Sequence, residues 1–157
     1  MEFKSVPKAI LGMTELLEKE GKKVFIERIG EITKEIVGVS FVTQIKGFEK
    51  FLKNRGAADM EIDEGFLAAR KILLDDPTAR YAVGHPFVRL DESRPSCLVS
   101  IQILQREIPK IICYFRSSNI TEISGDLARI AQLTFKEFGE GEIIFFIGSL
   151  HKDIRTD

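Results

Sequence analysis

Apolar residues recur at helical spacing over Pro7 to Glu20, where Ile10, Met13, Leu16 and Leu17 share one face. Pro7 suits the first turn and Gly21 the C-cap, so a helix is predicted between them. A charged connection, Val24 to Gly30, follows. Ile36 to Val42 is β-branched and reads as a strand. Gly47 to Leu52 fits a short helix and Gly56 to Ile62 a loop. Gly65 to Leu74 returns to helical spacing at Phe66, Ala69 and Leu73, stopping before Asp75-Asp76-Pro77. Arg80 to Leu90 is a strand or irregular ribbon, interrupted by Gly84 and Pro86.

The second half is more regular. Leu98 to Leu104 and Ile111 to Phe115 are strand-like, joined by the polar, Pro-bearing Arg106 to Lys110. Such a pair reads as a β-hairpin, with its turn centred near Ile108. Ser124 is a suitable N-cap for a helix to Phe138, with Leu127, Ile130, Ala131, Phe135 and Phe138 on its apolar face and Gly139 ending it. Glu142 to Gly148 holds a continuous apolar run long enough for a buried strand. The expectation is one α+β domain over residues 1–157, with a sheet covered by helices.

Composition narrows the function classes. A hydrophobic share of 44% with 30% charged residues points neither to disorder nor to a membrane span. A net charge of −1 gives no electrostatic reason to expect nucleic acid. The N-terminus has no signal-peptide core, and two cysteines without paired spacing suit a reducing cytoplasm. No metal is expected, because the cysteines lack companion ligands and His85 and His151 lie far apart in the chain.

The candidate chemistry gathers around Cys97. It follows Pro95-Ser96 and opens the first strand of the hairpin, whose second strand ends in Arg116-Ser117-Ser118-Asn119. The hairpin therefore brings a thiol within a residue or two of a guanidinium, which favours the thiolate and offers a fork for an anion. Cys113 alternates with Ile111 and Phe115 and reads as core.

From Pro95 to Asp153 the chain resembles the active-site half of the thymidylate synthases, closest to their shorter archaeal form. The likeness rests on the Pro-Ser-Cys turn at Cys97, on Gln102, on Arg116-Ser117-Ser118-Asn119, on the helix after it, and on Gly148-Ser149-Leu150-His151-Lys152-Asp153. Earlier, Glu27-Arg28 with Thr33-Lys34-Glu35-Ile36 resembles the family's phosphate-loop arginine and following strand. Ala79-Arg80-Tyr81 resembles its paired-arginine segment, which reaches across a homodimer.

The resemblance implies a mixed sheet with helices on one face and a sheet-mediated homodimer. It implies one-carbon (methyl or hydroxymethyl) transfer to carbon 5 of a pyrimidine nucleoside monophosphate such as dUMP, with 5,10-methylenetetrahydrofolate as carbon donor. Cys97 would be the nucleophile, and Arg28, Arg80, Arg116 and Ser117 would hold the phosphate. His151 would contact the sugar, and Asn119 takes the place of the family's folate-contacting aspartate. Glu49, Glu61 and Glu64 are open candidates for the catalytic glutamate. The chain departs from the family where its base-reading asparagine matches Leu127, its folate-packing aromatic matches Asp126, and the tyrosine of its His-x-Tyr matches Asp153. The alternative implied is a catalytically degenerate member acting as a nucleotide- or phosphate-binding, or structural, dimeric module.

Overall fold

A computed structural model describes residues 1–26, 31–45, 57–76, 78–79, 81–84 and 98–154. In chain order these form β1 (Glu2–Phe3), α1 (Val6–Glu20), β2 (Lys22–Ile26), β3 (Glu31–Gln44), α2 (Ala57–Asp75), β4 (Tyr81–Gly84), β5 (Leu98–Leu104), β6 (Lys110–Asn119), α3 (Ile120–Phe138) and β7 (Glu142–Ile154). The architecture is α+β. The strands make one mixed sheet of order β1-β3-β7-β6-β5-β4, with β2 also on β3. The β6–β7 and β1–β3 pairs are parallel and the others antiparallel.

One core binds the layers together. Val6, Ala9, Met13 and Leu17 of α1, Ile62, Phe66, Ala69 and Leu73 of α2, and Ile123, Leu127 and Ile130 of α3 pack with Phe41, Ile111, Cys113, Phe115, Ile143, Phe145 and Leu150 of the sheet. Burying a side chain of this size contributes roughly 1.5–3 kcal/mol, so these apolar stripes fix which face of each element turns inward.

Several expectations change. The connection expected from Val24 holds the edge strand β2, paired with β3 from Lys22↔Glu35 to Ile26↔Glu31. Of the loop expected at Gly56 to Ile62, the described residues from Ala57 on are the first turn and a half of α2, because buried Ile62 continues the Phe66, Ala69 and Leu73 stripe. Packing of that stripe outweighs the roughly 1 kcal/mol that Gly65 costs a helix interior. Helix α3 begins at Ile120, not after Ser124. Asn119 is its N-cap, and its side chain accepts from the Thr121 N–H at 2.9 Å. The Ser124 hydroxyl instead donates back to the Ile120 carbonyl at 2.6 Å. The hairpin forms as expected, with Leu104 opposite Lys110 and the turn centred one residue earlier, at Glu107. Gly47 to Leu52, and Arg80 to Leu90 beyond Tyr81–Gly84, lie outside the described residues.

The sheet also carries a break that governs the site. On β7 the core takes Ile143, Phe145 and Ile147 and then Leu150, so alternation skips a residue near Gly148. On β3, Phe41 and Val39 face the core, and Ile36 then takes that side. Between them Gly38 has φ 69°, a conformation side chains disfavour. The β6–β7 ladder omits Arg116, and β5–β6 shifts between Leu98 and Ser100. These irregularities lie nearly side by side across four strands. Beyond them Lys34 and Lys152 point to the helix side, where both reach Glu18 of α1 at 3.4 and 3.1 Å.

Candidate functional site

Past the break, the sheet face away from the helices becomes polar. Asn119 lies opposite His151, His151 opposite Glu35, and Glu35 opposite Lys22, a row across β6, β7, β3 and β2. A second row sets Ser117 opposite Ser149 and Ser149 opposite Val37. Directly opposed side chains stand about 5 Å apart, within reach of one another or of a shared ligand. The Ser149 hydroxyl donates to Glu35 Oε1 at 2.5 Å, tying the two rows together. Asn119, Glu35, Ser149 and His151 are all half-buried.

Three of the expected site residues meet here. Asn119 and His151 are cross-strand neighbours, and Ser117 occupies the adjoining row through its backbone; its side chain lies outside the described residues. Arg116 is exposed at the break, next to Ser117. Gln102 is not brought in: it faces Ile112 and Val83, and five residues of β6, about 16 Å, separate Ile112 from Ser117.

Cys97, Arg28 and Arg80 lie outside the described residues, but their chain neighbours are informative. Leu98 is opposite Phe115, so β5 enters the sheet at the Arg116 end of β6. Glu31, the described residue of β3 nearest Arg28 in the chain, is four residues from Glu35, about 13 Å along the strand. Tyr81, which follows Arg80, is opposite Leu104 at the far end of β5, about 20 Å from Leu98. Of the glutamate candidates, Glu64 is exposed on α2, while Glu49 and the Glu61 side chain lie outside the described residues.

Two positions matched to base and cofactor contacts are turned into the core. Leu127 has no exposed surface and Asp126 is 3% exposed. Cys113 is equally sealed: burial pushes its thiol well above the usual range, and the Asp126 carboxylate adds to the shift, so it is not a nucleophile.

Glu35 and Ser149 carry the geometry of the polar rows, yet sequence reasoning gave neither a role. Ser149 could have been found, since it sits two residues from His151 on a strand and so shares its face. Glu35 could not, because its partnership with β7 depends on a register between segments more than a hundred residues apart in the chain.

No described helix is long and apolar enough to cross a membrane. No protein-family model matches the chain, and no curated protein sequence matches it.

Proposed function

We propose that this chain is a thymidylate-synthase-like protein that binds a pyrimidine nucleotide at the Arg116 to Asn119 end of β6 and adds the Cys97 thiolate to carbon 6 of the ring. The observation that supports this is the in-register parallel pairing of β6 with β7. It sets Ser117 beside Ser149 and Asn119 beside His151, with β5 entering opposite Phe115. Two of the motifs that carry the resemblance, Arg116 to Asn119 and Gly148 to Lys152, are thereby neighbours at one end of one sheet. A guanidinium near the sulfur would favour its thiolate. Addition forms the S–C6 bond and moves the C5–C6 electron pair to carbon 5, which takes a proton from water; elimination reverses both steps.

The residues present do not fit a folate carbon donor. The Asn119 side-chain oxygen is engaged in capping α3, and Asp126 faces the core.

The homodimer belongs to the same reading. Tyr114 and Phe146 stack at 5.2 Å, 36% and 40% exposed, on the sheet face away from the helices. Half-buried Ile112, Ile144 and Val42 surround them. A second copy covering this face would remove that apolar surface from water.

A second reading, a nucleotide-binding module without turnover, is favoured by the burial of Leu127 where the family reads the base. Tritium exchange from carbon 5 of dUMP, dCMP, UMP and CMP separates the two. Release by the native chain that stops in Cys97→Ala supports the enzyme. Binding without release supports the module, and absence of both refutes the shared proposal.

A further inference from the structure

Glu35 sits in the middle of the polar rows as a half-buried carboxylate. Its Oε1 is taken by the Ser149 hydroxyl at 2.5 Å, and its Oε2 has no hydrogen-bond partner among the described residues. Lys22, opposite it on β2, is exposed. An ionised carboxylate accepts hydrogen bonds and donates none, so whatever lies over it must bring donors. A phosphate dianion brings none and is repelled. A hydroxyl pair suits it, because adjacent hydroxyls can donate to one carboxylate together. In the same row the Asn119 amide group can donate and the His151 ring can donate or accept, while the Ser149 hydroxyl, its proton given to Glu35, can still accept.

We infer that Glu35 is a specificity-determining residue that recognises the vicinal 2′- and 3′-hydroxyls of a ribose, so that the ligand is a ribonucleotide in preference to its 2′-deoxy counterpart. This rests on the proposal that the site binds a pyrimidine nucleotide. It moves the phosphate away from Ser117, one of the residues to which the family resemblance had assigned it. The Ser149 hydroxyl holds the carboxylate in place and leaves Oε2 turned to the ligand.

The test is calorimetric titration of the full chain with UMP, dUMP, CMP, dCMP and ribose 5-phosphate, repeated for Glu35→Gln and Ser149→Ala. A charge-assisted hydrogen bond gives a ribo-over-deoxy preference on the order of tenfold in the native protein. That ratio should fall to about one in Glu35→Gln, which keeps the size of the side chain and an acceptor for Ser149. Should Glu35→Gln fail to fold, Ser149→Ala should still reduce the ratio. Nucleotide binding with no ribo preference, or a preference untouched in both variants, overturns the inference and leaves the nucleotide reading standing. Ribose 5-phosphate binding as tightly as UMP keeps the diol site but removes the base from it. Failure of all five ligands to bind overturns both.

Discussion

Replacing Gly38 with alanine tests the break in the sheet, on which the face given to Glu35 and its cross-strand partners depends. Gly38 has φ 69°, and an added Cβ would meet no atom within 4 Å. The cost is therefore conformational, with no steric part. Holding an L-residue in the left-handed region costs roughly 1–2 kcal/mol. The reduced freedom of the unfolded chain returns about 0.4–1 kcal/mol. A net destabilisation of about 1 kcal/mol is expected, which in a chain of this size lowers the melting temperature by about 2–4 °C. Urea unfolding followed by circular dichroism measures it. Gly38→Asn should lose less, since asparagine enters that region more readily. A relaxed variant that flattened the break would carry Glu35, Ser149 and His151 to the other face, so nucleotide binding should weaken alongside stability. If Gly38→Ala is instead more stable than the native protein, the backbone there is ordinary strand. Glu35 would then not share a face with Ser149 and His151.

Two further outcomes follow from burial and charge. Leu127→Asn, which restores the residue type the family uses to read the base, should destabilise by about 3–5 kcal/mol, because a fully buried leucine is lost and an amide is stranded in the core; chemical denaturation showing little change would put Leu127 in a cleft after all. Hydrogen bonds from Lys152 and Lys34 hold the Glu18 carboxyl below its ordinary 4.5. A depressed folded value means its stabilisation is present above that ordinary value and lost as pH falls through the lowered one. Melting temperatures of native protein and Glu18→Gln should therefore differ at neutral pH, less so in high salt, and converge in acid; an equal difference at both ends of the range would refute the pairing.

What the chain declares by itself is local. Pro7, Gly21 and the Met13–Leu17 spacing define α1, and alternation in Leu98 to Leu104 and Ile111 to Phe115 defines the hairpin, because each depends on residues close in sequence. Expectations slipped where a local signal competed with packing. Ser124 is a good cap by type, but Asn119 stands at the strand end and takes the role. Gly65 suggested a helix start, but Ile62 is buried in the same stripe and draws the helix back to Ala57. Glycines inside β3 and β7 are the written trace of the break. Which face it gives to Glu35, and that Glu35 lies between His151 and Lys22, follows only from strand pairings between distant segments. Side-chain direction in a strand has a period of two, so one skipped residue reverses everything beyond it. Local composition carries no record of that reversal's partners; the assembled sheet decides them.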